Sequence, residues 1–169
     1  IDQPFFTNYH NVGATVRLFA VARKAGVRRI VFSSSSSVYG NQDKLPLTEE
    51  MTPNPLSPYG LQKLIGEQYA KMFCQLYNMD IVCLRYFNVY GEGMTADNAY
   101  APAIAIFKQQ EALHKPLTVF GGEQRRDFTY VGDVVRANLL AMDSPRRFKG
   151  DCINIGAGKN YSIKEIAEK

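Results

Sequence analysis

Long apolar runs are missing from this chain. A bilayer-spanning helix needs about 20 consecutive apolar residues. The longest candidate, Ala101 to Phe107, is far shorter, so no membrane span is expected. The amino terminus, Ile1-Asp2-Gln3-Pro4, carries neither the basic nor the apolar segment of a secretory signal. It also lacks an initiator methionine, and the chain is read as starting in mid-protein. Cysteine is scarce. Cys74, Cys83 and Cys152 make an odd count with no CxxC spacing, which argues against a disulfide framework or a zinc site and fits a reducing cytoplasm. The two histidines, His10 and His114, lie far apart, so no metal site is expected. A long basic run is absent too. The net charge of +4 is spread over pairs such as Arg28-Arg29, Arg125-Arg126 and Arg146-Arg147. A nucleic-acid interface would need a basic stripe with interleaved aromatics. The mild positive balance suits attraction of an anionic nucleotide instead.

What is present reads as an α/β protein. Val12, Val16, Leu18, Phe19 and Val21 follow a helical period that ends near Gly26, which predicts a helix over 11–25. Arg29-Ile30-Val31-Phe32 reads as a short buried strand running into five serines, Ser33 to Ser37. Four prolines between residues 40 and 58 mark a long loop. Ser57-Pro58 has the form of an N-cap followed by proline at the first helical position. Leu61, Leu64, Ile65, Tyr69, Met72 and Phe73 then supply an apolar stripe, so a helix is predicted over 59–77. Ile81 to Arg85 is the next strand. This alternation predicts a Rossmann-like, doubly wound parallel sheet. After Gly91 the pattern becomes a loop, a helix from Tyr100 to Ala112, strand-like Leu117 to Phe120, a Gly121-Gly122 turn and a strand at Phe128 to Val131. A helix over Val134 to Met142, a strand at Ile153 to Ile155 and a helix capped by Ser162 follow. The expected division is residues 1–91 as half of a cofactor domain and 92–169 as mostly substrate-binding region, with 126–142 returning to the first domain.

Ligands of an open parallel sheet sit beyond the carboxyl ends of its strands. Ser33 to Ser37 and Tyr86-Phe87-Asn88 fall at two such ends. Tyr59 and Lys63 are four residues apart on the predicted helix and so share a face. A phenol, with an ordinary pKa near about 10, is a poor base at neutral pH, but a neighbouring ammonium favours its phenolate. Such a pair can take a proton from a sugar hydroxyl while a hydride leaves the same carbon, with a nearby serine relaying the proton. A tyrosine and a lysine at this spacing also occur together as an ordinary helical surface pair.

The wider pattern narrows the choice. The serine-rich strand end, Val38-Tyr39-Gly40, Ser57-Pro58-Tyr59-Gly60-Leu61-Gln62-Lys63 and Arg85-Tyr86-Phe87-Asn88-Val89-Tyr90-Gly91 come in sequence. Val119-Phe120-Gly121-Gly122, Arg126 to Val134 and Ile153-Asn154-Ile155-Gly156 complete the series. In order and spacing this resembles the extended short-chain dehydrogenase/reductases that act on nucleotide sugars, epimerases above all. The resemblance implies NAD as cofactor and C4 epimerisation of a nucleotide-diphosphate sugar, such as a UDP-hexose or its N-acetylated form, through a 4-keto intermediate. It implies that Tyr59 is the base and Lys63 its partner. It puts the catalytic hydroxyl at Ser35, four residues before Tyr39. Asn11, Ser33, Ser34 and Tyr86 would join Tyr59 and Lys63 on the cofactor side. Asn88, Val119, Phe120 and Arg126 would join Ser35 and Tyr59 on the substrate side, with Arg126 on a phosphate. It further implies a homodimer through the helices at 11–25 and 59–77.

Two departures matter. Related 4,6-dehydratases place Asp and Glu where this chain has Ser36 and Ser37, which favours epimerisation over loss of water. The glycine-rich loop that holds the cofactor pyrophosphate at a helix N-terminus is absent from the sequence, and the chain alone is expected to be inactive. Other readings are an ADP-heptose epimerase, a decarboxylase, a 4,6-dehydratase or a non-catalytic NAD-binding relative. The last of these would be expected to have lost Tyr59 or Lys63.

Overall fold

The computed structural model describes residues 3–97 and 102–168. In chain order its elements are α1 (Pro4–Asn8), a π-helical stretch (Tyr9–Gly13), α2 (Ala14–Lys24), β1 (Ile30–Ser35), a 3-10 turn (Ser36–Val38), α3 (Pro58–Tyr77), β2 (Ile81–Tyr86) and β3 (Asn88–Tyr90). Then come α4 (Ala103–Ala112), β4 (Arg125–Tyr130), α5 (Val131–Asp143), β5 (Cys152–Ile155), β6 (Asn160–Ser162) and α6 (Ile163–Ala167). By packing the chain divides into Ile1–Tyr86 with Arg136–Ile155, and Phe87–Val135 with Gly156–Lys169. The expected boundary was residue 91 and the expected return 126–142. In the structure the first unit ends at Tyr86 and takes back Arg136–Ile155, because β5 pairs with β2 and the later part of α5 packs on that sheet. Residues 126–130 instead pair with β3 and β6.

The first unit is a three-stranded parallel sheet in the order β1-β2-β5. Alternation along each strand sends successive side chains to opposite faces. Phe19, Ala22, Ala70 and Phe73 from α2 and α3 cover Ile81, Cys83, Ile30 and Phe32 on one face. Ala137 and Ala141 of α5, with Phe148, cover Val31, Val82, Leu84 and Ile153 on the other. Ile81, Val82 and Leu84 are essentially fully buried. Each such side chain contributes about 1.5–3 kcal/mol of transfer free energy. The three cysteines meet in the first of these cores. Cys83 and Cys152 are register partners on β2 and β5. The hydrogen bond with Cys152, together with burial, pushes the Cys83 thiol well above its ordinary pKa.

The helix predicted over 11–25 is regular only from Ala14; before it lies the π-helical stretch. There the Thr15 hydroxyl donates to the Asn11 carbonyl at 2.6 Å, a side-chain bond that competes with regular helical pairing. α3 starts as its sequence predicts. The Ser57 hydroxyl accepts from the Gly60 N–H at 3.1 Å and Pro58 opens the helix. Asn78 ends it in the left-handed region at φ 55°, which asparagine tolerates better than most residues.

In the second unit β3 pairs parallel to β4, and β4 pairs antiparallel to β6. The Asp127 carboxylate accepts the backbone N–H groups of Ala157 and Gly158, both at 2.8 Å, which fixes the turn after β5. Ser162 and Glu165 form a reciprocal capping box on α6. Leu117 to Phe120, predicted as a strand, is irregular. The side chain of Gln110 accepts from the Thr118 N–H and donates to its hydroxyl, both at 3.0 Å. A helix side chain therefore takes the place of a neighbouring strand. The predicted helix from Tyr100 is regular from Ala103; its first two residues lie outside the described ones.

Candidate active site at the carboxyl end of the parallel sheet

β1 runs further into the serines than its apolar residues suggested, ending at Ser35. The Ser35 hydroxyl caps the 3-10 turn that follows. It accepts from the Ser37 N–H at 3.2 Å and donates to the Ser37 hydroxyl at 3.1 Å. The first turn of α3 rests on this segment. A Cβ on Gly60 would lie 2.6 Å from the Ser37 carbonyl oxygen, so the close approach needs glycine. Tyr59, the preceding residue, is thereby set beside the serine turn. Its ring is half exposed, and its hydroxyl makes no hydrogen bond among the described residues.

One turn later, Lys63 reaches back to β1. Its Nζ donates to the Ser33 carbonyl at 2.8 Å and lies 5.7 Å from the Tyr59 ring centroid and 5.4 Å from that of Phe32. Burial of the ammonium lowers the Lys63 pKa from its ordinary value, since lost hydration penalises the charged form. A developing phenolate nearby would offset that penalty. The Tyr86 hydroxyl lies 3.3 Å from the Ser33 hydroxyl and donates to Asn138 Oδ1 at 2.9 Å.

The remaining expected residues are distributed as follows. The Asn11 amide donates to Gln62 Oε1 at 2.7 Å, next in sequence to Lys63. Ser34 is 2% exposed, and its hydroxyl donates to Glu67 Oε1 at 2.5 Å; it faces α3 rather than the edge where Ser33 meets Tyr86. Asn88, Val119, Phe120 and Arg126 belong to the second unit. Asn88 pairs with Phe128 in β3, Phe120 is 81% exposed, and Arg126 is exposed on β4 with Nη1 donating to the Arg125 carbonyl.

The first unit also holds a buried polar group outside the expected site residues. Arg85 Nε and Nη2 donate to the two carboxylate oxygens of Glu67 at 2.9 and 2.7 Å. Its Nη1 donates to Tyr39 Oη at 2.8 Å, and Tyr39 Oη donates to Asn154 Oδ1 at 2.7 Å. Burial alone would lower the Arg85 pKa. The hydrogen bonds and charge of Glu67, with the Tyr39 bond, more than offset it and raise the value. The group's signal in the sequence is a lone arginine closing an otherwise apolar strand, and a glutamate four residues beyond Lys63.

Comparison with known proteins bears on the family of the chain. The profile of the NAD dependent epimerase/dehydratase family matches residues 1–156. A putative UDP-glucose 4-epimerase of Methanocaldococcus jannaschii is 40% identical over 98% of this chain and 53% of its own length. A UDP-N-acetylglucosamine 4-epimerase from Methanobrevibacter ruminantium, solved with UDP-N-acetylmuramic acid, is 36% identical. It superposes with a TM-score of 0.95 over 99% of this chain and 54% of that one. The UDP-glucose 4-epimerase of Thermotoga maritima, solved with UDP-glucose, is 34% identical with a TM-score of 0.93, over 99% and 54% of the two chains. The chain spans about half the length of the curated relatives it matches. The profile match over residues 1–156 and these relatives lead to one conclusion: this chain belongs to the NAD dependent epimerase/dehydratase family.

Proposed function

We propose that the protein containing this chain inverts C4 of a UDP-sugar, a hexose or its N-acetylated form, through a 4-keto intermediate. The observation that carries this reading is the Lys63 ammonium, fixed at 2.8 Å on the Ser33 carbonyl and one helical turn from a half-exposed Tyr59. Tyr59 acts as base on the C4 hydroxyl, Lys63 favours the phenolate, and Ser35 passes the proton between sugar and tyrosine. NAD, when bound, supplies the hydride acceptor and donor. The Lys63 ammonium and the hydroxyls of Ser33 and Tyr86 suit the ribose and carboxamide of a nicotinamide. Within this chain no glycine-rich loop matches the pyrophosphate. The 4-epimerases among its relatives support the choice of reaction, as do serines rather than acids at Ser36 and Ser37. In the second unit, Asn88, Val119, Phe120 and Arg126 are assigned to the nucleotide of the substrate.

Tyr59→Phe in the full-length gene product tests this. Turnover of UDP-glucose or UDP-N-acetylglucosamine, read by NMR of the sugar nucleotide, should fall at least about 100-fold, with nucleotide affinity largely kept. Wild-type turnover in Tyr59→Phe would remove the residue from the mechanism.

A further inference from the structure

Ser34, Arg85 and Asn154 stand in register across β1, β2 and β5. All three side chains join one buried cluster with Glu67 and Tyr39. Asn154 is tied further, donating from Nδ2 to the Leu47 carbonyl at 3.0 Å. Three of the five members border a residue of the candidate site. Ser34 lies between Ser33 and Ser35, Arg85 precedes Tyr86, and Glu67 follows Lys63 by one turn of α3. The Glu67–Arg85 pair is nearly dry, with side chains 3% and 5% exposed. Among the described residues no buried side-chain nitrogen or oxygen lacks a partner.

A buried ion pair of this kind is seldom more stabilising than apolar side chains of the same volume. What it adds is geometry. A planar guanidinium forked onto both oxygens of a carboxylate tolerates little sliding, whereas the apolar contacts between α3 and the sheet resist it weakly. A shift of about 1 Å in the placement of reacting groups can cost about 100-fold in rate. We propose that Glu67 and Arg85 are positioning residues, whose ion pair, braced by Ser34, Tyr39 and Asn154, locks α3 in register with the ends of β1 and β2 and so holds Tyr59 and Lys63 beside the end of β1. The inference rests on the epimerase reading of that site.

The experiment uses the full-length gene product carrying Glu67→Leu with Arg85→Met, which removes both charges at similar volume. A positioning role predicts a folded protein whose kcat falls at least about tenfold while KM stays within about twofold. A kcat equal to that of the parent, or a kcat loss matched by a KM rise in a folded protein, overturns the proposal. Should the double variant not fold, Tyr39→Phe decides. It removes only the hydroxyl that links Arg85 to Asn154. A kcat loss of about threefold or more at unchanged KM supports the role, and unchanged kcat overturns it. Tyr59→Phe assayed alongside separates the two ideas: full turnover there sinks the epimerase reading itself, whatever the network variants do.

Discussion

Burial works against the charge of Lys63. Its folded-state pKa lies below the ordinary lysine value of 10.5 because its ammonium is buried. Between the lowered value and 10.5 the unfolded chain holds the proton more tightly than the folded one, so stability rises with pH across that window. Below it, the full cost of burying the charge is present. Lys63→Met removes this cost along with the proposed partner of Tyr59. The variant should turn over at least about 100-fold more slowly. The difference in melting temperature between variant and parent should move in the parent's favour as pH rises from about 7 toward 10.5; a pH-independent difference would contradict the assignment. That Tyr59 and Lys63 share one face of α3 was legible from their spacing and a capped helix start. The direction of Ser34 was not. β1 continues to Ser35, so alternation decides which serine faces which way, and a run of identical residues gives no apolar-polar pattern from which to read it.

At the scale of elements, helices with chemical punctuation were read well. Ser57-Pro58 opens α3 and Ser162 opens α6 where expected. Elements whose form depends on distant partners were not. Leu117 to Phe120 has strand-like residues, but its N–H at Thr118 goes to Gln110. The short β3 and β6 exist because β4 pairs with both, which no local signal announces. α2 and α3 also explain an exposure that the first core leaves over. Leu18 and Val21 on α2, and Leu61, Met72 and Leu76 on α3, stay between 40% and 64% exposed. Helical spacing places each set on a common side of its helix. A proposed homodimer through these two helices would cover these apolar side chains. Leu18→Arg with Leu76→Arg should shift the full-length protein from dimer to monomer in sedimentation equilibrium. A parent that sediments as a monomer would end that reading.

On the scale of the whole molecule, the doubly wound parallel architecture of the first unit follows from alternating strand and helix patterns that the sequence displays openly. The segment that returns to it, Arg136–Ile155, was placed too early, because the end of α5 and β5 are recruited by the sheet through Val82, Leu84 and Phe148, contacts between residues far apart in the chain. That recruitment has a practical outcome. It brings Cys152 beside Cys83, with Cys74 in the same core. A thiol held protonated and out of solvent alkylates slowly, so the native protein carries its own gauge of conformational opening. In pulsed iodoacetamide labelling read by mass spectrometry, Cys152, partly exposed, should be tagged first. Cys74 and Cys83 should be tagged together and only as denaturant unravels the sheet. Early labelling of Cys83 alone would mean that β2 frays independently of its neighbours.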